Sequence, residues 1–403
     1  MARSDQAGPL VAIRLLAPAA GDQVSRCWQD GEAVAVLDPR APAAVTETAL
    51  ARVQPTHIVD EHGRRAHPPG TPATAGVVAV VLTSGTTGDP KAVELTAAGR
   101  DAIGQGFAAA LDIGPGDRWL VCLPLHHVAG LAILGRSAAA GFPVVTHDGF
   151  DLDAVAASPE RDATTIVSLV PTTLARLVDA GAPLARFRAI VTGGAPLPPA
   201  VRGRAEAVGG RVVDTYGLSE TWGGVLLDGV PLPGAEFEIG EDGDVFVRGA
   251  MVMRGYRFDE TATAAATTAD GWFCTGDVGR IGSDGRIVIT DRRHEVIITG
   301  GVNVSPTAVE AVLADHPGVA DVCVAGRPDA EWGGRVVAYV VARNPTAPPR
   351  LDDLRAFASE RLSAAQLPRE VVLIDAVPRT AGGKALRRAL AQGKRSRRRY
   401  PAP

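Results

Sequence analysis

The sequence lacks paired cysteines. Cys27, Cys122, Cys274 and Cys323 are scattered over 403 residues and never form a CxxC motif. That excludes a cysteine zinc site and a disulfide framework, and it suits a reducing compartment. A charge of one sign is also missing, since 41 basic residues stand against 45 acidic ones for a net charge of -4. Dedicated nucleic-acid binding wants a strong basic surplus, so that class is excluded. No apolar run reaches membrane-span quality, because the longest, Val128 to Val145, is interrupted by Arg136 and several glycines. Asp5 and Arg14 break the pattern a secretory signal would need near the start. The expectation is a cytoplasmic protein without a membrane partner. Aromatic residues are only 4%, but 46% of the chain is hydrophobic, which is a globular composition. At this length one compact core is too small, and two or three domains are expected.

Apolar segments first alternate with helix-period segments. The run 77–83 (VVAVVLT) predicts a buried strand, followed by a helix from about Thr96 to Leu111. Further strands are expected at 119–125, 142–145, 165–170 and 188–194, with helices at 128–140 and 172–180. Such alternation predicts parallel α/β layers. After about residue 225 the period falls to two, with GEDG and SDG turns, predicting antiparallel hairpins in a barrel-like unit. Beyond Thr290, helices at 306–315 and 351–362 and strands at 319–325 and 335–342 predict a small α+β domain. The basic tail KRSRRRYPAP reads as a solvated end.

The densest chemical signal follows the first buried strand: Thr83-Ser84-Gly85-Thr86-Thr87-Gly88-Asp89-Pro90-Lys91. Glycines let backbone amides close on an anion, hydroxyls donate to phosphate oxygens, and a lysine adds positive charge. The GK[ST] ending of a Walker A loop is missing.

This segment resembles the phosphate-binding signature of the adenylate-forming superfamily of acyl- and aryl-CoA ligases, luciferases and peptide-synthetase adenylation domains. The superfamily's other segments follow in order. Gly193-Gly194-Ala195-Pro196 resembles the adenine-side loop, Tyr216-Gly217-Leu218-Ser219-Glu220 the YGxTE segment, and Thr275-Gly276-Asp277 the ribose aspartate. Asp291-Arg292-Arg293-His294 falls at the hinge, before the Thr299-Gly300-Gly301 loop. Pro378 to Lys384 (PRTAGGK) resembles the C-terminal catalytic-lysine loop. The match spans roughly residues 77–390. Pro124 to Gly130 (PLHHVAG) and Ser168 to Arg176 (SLVPTTLAR) resemble the branch of o-succinylbenzoate–CoA ligases within it.

The resemblance implies a large N-terminal part (1–291) of layered α/β sheets with an antiparallel β-barrel. It also implies a small mobile α+β C-terminal domain (292–403) carrying the catalytic lysine, the CoA tunnel and the basic tail. It implies an AMP-forming ligase that couples a small carboxylic acid to coenzyme A using ATP and Mg²⁺, acting on o-succinylbenzoate in menaquinone biosynthesis. Thr83, Ser84, Gly85, Thr86, Thr87, Gly88 and Lys91 would hold the phosphates, and Glu220 the Mg²⁺. Gly194, Ala195 and Tyr216 would face adenine, Asp277 and Arg292 the ribose, and Gly300 and Gly301 the CoA. His127, Arg176 and Trp222 would line the acid pocket, with Lys384, His127 and Glu220 catalytic. His126, next to His127 on an expected strand, would point to the opposite face and serve packing.

His294 replaces the usual hinge Asp or Lys, and Trp222 stands where a smaller residue is common. Two alternatives stay open: another aryl- or acyl-acid ligase, or an enzyme loading a carrier protein. A homodimer is compatible with all of these readings. A non-catalytic nucleotide-binding scaffold would have no need of Glu220, Asp277, Arg292 and Lys384 together.

Overall fold

The structure is a computed structural model that describes residues 7–83, 90–380 and 385–392. The phosphate-loop residues Ser84, Gly85, Thr86, Thr87 and Gly88, the lysine-loop residue Lys384 and the basic tail lie outside the described residues. The chain forms two compact units, one of residues up to Glu238 with Phe246–Thr275, the other of Ile239–Val245 with everything from Gly276.

The first unit begins with β1 (Leu10–Ile13), α1 (Ala17–Gln29), β2 (Ala33–Val36), α2 (Ala43–Val53), β3 (His57–Asp60) and β4 (Gly63–Ala66). Then come β5 (Val77–Thr83), β6 (Lys91–Thr96), α3 (Ala97–Ala110), β7 (Trp119–Val121), α4 (Val128–Ala140) and β8 (Val144–Thr146). The alternation continues through α5 (Leu152–Arg161), β9 (Ile166–Leu169), α6 (Pro171–Asp179), β10 (Ala189–Thr192), α7 (Pro199–Ala207) and β11 (Val212–Leu218). Strands β12 (Gly223–Leu227), β13 (Val230–Pro231), β14 (Glu236–Ile239), β15 (Asp244–Arg248) and β16 (Gly255–Tyr256) follow.

Strand alternation builds the layers. On β7, Trp119 and Val121 enter the largest core while Leu120 joins another cluster with Leu174 of α6 and Ala205 of α7. On β1, Val11 and Ile13 enter that same large core, while Ala12 packs towards Leu50 of α2. Thus α1, α3 and α4 lie between two seven-stranded sheets, with α5 to α7 outside one and α2 outside the other. Local signals start the helices. The Thr96 hydroxyl accepts from the Gly99 amide ahead of α3, the Asp151 carboxylate from the Ala154 amide ahead of α5, and Pro171 opens α6.

One expectation differs here. The strand expected at 119–125 stops at Val121, because Pro124 has no amide hydrogen for the ladder and the chain turns through Leu125 to His127. His126 and His127 therefore sit on a turn entering α4, so the strand argument that put them on opposite faces fails.

After α8 (Glu260–Ala265) come β17 (Phe273–Ile281) and β18 (Ile287–Arg292). Strands β14, β15, β17 and β18 are hydrogen-bonded in that order. Antiparallel pairing is present where it was expected, in a four-stranded sheet among the described residues. The second unit continues with β19 (Ile297–Thr299), β20 (Val302–Val304), α9 (Pro306–Ala314), β21 (Val319–Asp329) and β22 (Gly333–Ala342). It ends with α10 (Leu351–Ser359), β23 (Glu370–Leu373) and α11 (Arg387–Ala391). Its core packs α9 and α10 against β21 and β22. Among the described residues, no helix is long and apolar enough to cross a membrane.

Candidate active site

The sheet of β13-β12-β11-β10-β9-β7-β8 reverses direction at one place. From β7 the chain moves outward to β8, then returns to β9 on the other side of β7 and proceeds to β10 and β11 in parallel. Loops leaving β7 and β9 thus diverge, and ligands of open α/β sheets bind where such loops part, beyond the strands' carboxyl ends. The turn with His127 leaves β7, α6 with Arg176 leaves β9, Gly193 to Ala195 leaves β10, and Glu220 follows β11. Segments far apart in sequence therefore share one edge.

The rings of His126 and His127 lie 4.4 Å apart and tilted by 54°. Burial pulls the His127 imidazole down to about 4, helped by His126 and opposed by Asp38; burial also lowers His126. Both are neutral at pH 7, so His127 can pack against an acyl group without adding charge. A base with a depressed folded pKa supports the fold fully above its unfolded value and loses that support as pH falls towards 4. Accordingly, wild-type stability in urea should decline from about pH 6.5 to 4, and His127→Asn should flatten part of that decline. Parallel declines in the two proteins would refute the assignment.

The phosphate segment is the connection of a hairpin, since Thr83 pairs with Lys91 in the β5–β6 ladder. Lys91 Nζ lies 4.4 Å above the Tyr256 ring, and the Tyr256 hydroxyl donates to Glu220 Oε1 at 2.9 Å. Glu220 is thereby brought to the foot of the phosphate segment. Its backbone is tied as well, with its carbonyl accepting from the Met253 amide at 2.6 Å. Gly217 permits this geometry, because a Cβ there would stand 1.7 Å from the Gly223 carbonyl oxygen. No group of three or more metal-ligating side chains occurs among the described residues. A single carboxylate at the foot of this hairpin nevertheless fits the needs of Mg²⁺, which takes one or two carboxylates and completes its shell with phosphate and water.

Tyr216 lies on β11, next to β10 and its Gly193–Ala195 loop, through the Thr192–Asp214 pairing. Trp222 does something other than line a pocket. Its side chain is 1% exposed, it packs on Gly99 of α3 and Gly135 of α4, and its indole donates to the Thr96 carbonyl at 3.0 Å. The left-handed backbone at Trp222 (φ 55) turns it inward, so it holds α3 and α4 to the sheet. Arg176 is exposed on α6, with its guanidinium 5.0 Å from the centre of the Phe150 ring.

Two polar groups that sequence reasoning missed lie deeper. Arg136 on α4 is 4% exposed, its guanidinium 3.6 Å from the Phe107 ring centre and 5.4 Å from that of Trp119. Its Nε has no hydrogen-bond partner among the described residues, and neither has the buried Thr215 Oγ1. Burial pulls Arg136 down to about 9, so it stays charged at pH 7. Both groups meet the Gly223-Gly224 start of β12. A Cβ on Gly223 would come 3.6 Å from Arg136 Nη2, and one on Gly224 would stand 2.0 Å from Thr215 Oγ1. The available signal was a single charge inside the apolar stretch from Val128 to Val145.

In the second unit, Asp277 and Arg292 are paired across β17 and β18, and Arg292 Nε donates to Asp277 at 2.7 Å. Asp277 is 3% exposed. Gly300 and Gly301 form the two-residue turn of the β19–β20 hairpin with φ 56 and 78, the positive pair a type I′ turn demands. The hairpin exposes Ile298 and Val302. The foot of the lysine loop is held by the Arg379–Ala385 bridge and by ion pairs of Arg387 with Glu310 and Glu295.

A seven-stranded sheet with a switch point, and a carboxylate at the foot of a glycine- and threonine-rich hairpin, define a nucleotide-binding α/β enzyme. The chain belongs to the AMP-binding enzyme family: that family's model matches residues 10–257, and the model of the AMP-binding enzyme C-terminal domain matches 308–384. It is 40% identical over 326 residues to a probable 2-succinylbenzoate–CoA ligase of Mycobacterium tuberculosis, covering 78% of this chain and 84% of that one. It is 36% identical to the 2-succinylbenzoate–CoA ligase of Bacillus licheniformis, covering 77% and 69%. The o-succinylbenzoate CoA synthetase MenE of Bacillus subtilis, solved with the acyl-adenylate OSB-AMP, superposes with TM-score 0.85 at 29% identity. That match covers 97% of this chain and 89% of the other.

Proposed function

We propose that this protein is an ATP-dependent o-succinylbenzoate–CoA ligase that forms an acyl adenylate and then the CoA thioester. A relative of that name at 40% identity over most of both chains supports the activity. One observation carries the choice of a dicarboxylic acid: the buried guanidinium of Arg136, which has no carboxylate to pair with among the described residues. A charge so placed is costly until an anion meets it. The acid has two carboxylates, of which only the succinyl one reacts. The aromatic carboxylate would then lie against Arg136 and Thr215 beside the Gly223-Gly224 start of β12, with neutral His127 beside the acyl chain. Arg176, exposed and stacked on Phe150, has a weaker claim to that carboxylate because water competes for it.

In the first step the succinyl carboxylate oxygen bonds to the α-phosphorus of ATP and the bond to pyrophosphate breaks. Thr83, Lys91 and the segment between them hold the β- and γ-phosphates, and Lys384 neutralises the charge between the two approaching anions. Glu220 would hold Mg²⁺, which supplies charge neutralisation at the phosphate oxygens when bound. Asp277 accepts from the ribose hydroxyls while Arg292 fixes its orientation, and Tyr216 offers a face to adenine. In the second step the CoA sulfur attacks the acyl carbon and AMP leaves, with the Gly300-Gly301 turn beside the pantetheine. The pivot between the two steps would lie at the boundary of residues 1–291 and 292–403.

Pyrophosphate release with o-succinylbenzoate, benzoate and simple fatty acids, followed by a choice of CoA or carrier protein as acceptor, tests this reading. Release with the dicarboxylic acid, at a KM at least tenfold below any monoacid, is expected, followed by thioester on CoA. In the same assay Arg176→Ala should change the acid's KM less than about fivefold, as befits an exposed pair worth under 1 kcal/mol. Monoacids used equally well would leave a generic aryl–CoA ligase.

A further inference from the structure

None of the motif segments includes Tyr256, yet it touches two of the residues assigned to ATP. We propose that Tyr256 is a positioning residue that sets Glu220 and Lys91 together at the foot of the phosphate segment. The inference rests on the reading of Glu220 as the Mg²⁺ carboxylate.

Its own placement is over-determined. Gly255 and Tyr256 pair with Glu94 and Val93 of β6, the strand that opens with Lys91. The next residue, Arg257, is 7% exposed and donates to Glu94 at 2.9 Å and to the carbonyls of Val53, Thr71 and Pro72. Glu94, 5% exposed, also accepts from the Thr74 hydroxyl at 2.9 Å. Successive residues of an extended chain point to opposite faces, so anchoring Arg257 in the interior turns Tyr256 to the other side. The Tyr256 amide is held in turn by the Thr263 hydroxyl at 2.9 Å. What results is a rigid phenol with two tasks. Its hydroxyl takes one oxygen of Glu220, which fixes the plane of the carboxylate and directs the second oxygen. Its ring face seats the Lys91 ammonium, an attraction that grows when water is excluded.

The test needs no turnover. Mn²⁺ is titrated into the full-length protein with ATP but without acid, and free ion is followed by electron paramagnetic resonance. Tyr256→Phe keeps the ring and removes the hydroxyl. It should weaken Mn²⁺ binding about tenfold, the effect typical of losing a partner behind a metal ligand. Its affinity for metal-free ATP, and its KM for o-succinylbenzoate at saturating Mg²⁺, should stay within twofold. A folding defect would move both. Tyr256→Leu also removes the ring and should weaken metal-free ATP several-fold. Wild-type Mn²⁺ binding by Tyr256→Phe, with Glu220→Gln clearly weakened, would overturn the proposal alone. Wild-type Mn²⁺ binding by Glu220→Gln would overturn the metal reading itself and leave Tyr256 nothing to position.

Discussion

Replacing Arg136 by methionine is expected to raise the KM for o-succinylbenzoate by about 30- to 150-fold and to leave the protein as stable as before or more so. The first figure is the loss of one buried, charged hydrogen-bonded contact, about 2–3 kcal/mol. ATP should be affected by less than about threefold, because Arg136 is assigned to the acid and packs on Phe107, Trp119 and Gly223. The stability expectation comes from the same burial. An interior charge without a counter-charge opposes folding, and its stacking on Phe107 offsets only part of that cost. Methionine matches the length, keeps contact with both aromatic rings and carries no charge. Thermal unfolding without ligand should therefore rise by a few degrees, while the acid, which stabilises wild type by binding, should stabilise the variant less. Opposite signs on affinity and stability are the signature of a functional charge. If Arg136→Met lowers both together, Arg136 is a packing residue and the dicarboxylate reading loses its support.

Lys384→Ala should separate the two half-reactions. Pyrophosphate release should fall by a factor of about 10²–10³, the usual effect of removing one preorganised group from a developing charge. Thioester formation from CoA and supplied acyl adenylate should remain within a few-fold of wild type, since the phosphorus–oxygen chemistry is already complete. Pyrophosphate release and thioester appearance, followed separately, check this. Equal loss in both would rule out a lysine that serves adenylation alone.

Much of the organisation was legible in the chain. Helix α4 begins and ends as its periodicity predicts, and α6 lies one residue before the expected 172–180. Apolar strands separated by helices led to parallel pairing from β9 to β11. The failures share a cause. The histidine pair was placed on a strand because apolar residues continue to Leu125, whereas Pro124 and the entry into α4 end the ladder early. Trp222 looked like a pocket wall because it follows Glu220 and Thr221. Which way its indole turned depended on the left-handed backbone there and on room beside Gly99 and Gly135.

The sequence by itself determined the motif order, the residue types at the phosphate, ribose and lysine segments, and the alternation that builds the layers. These are local properties, carried by spacing and side-chain chemistry. Only the tertiary structure decided that Arg136 is buried without a counter-charge among the described residues, that Thr215 Oγ1 packs against Gly224, and that Tyr256 bridges Lys91 and Glu220. Burial and partnership belong to segments brought together by folding, as when Tyr256 meets Lys91 and Glu220 and Arg136 meets Phe107 of another helix. An arginine in an apolar run reads the same whether it faces water, a carboxylate or aromatic rings, and only packing separates the three.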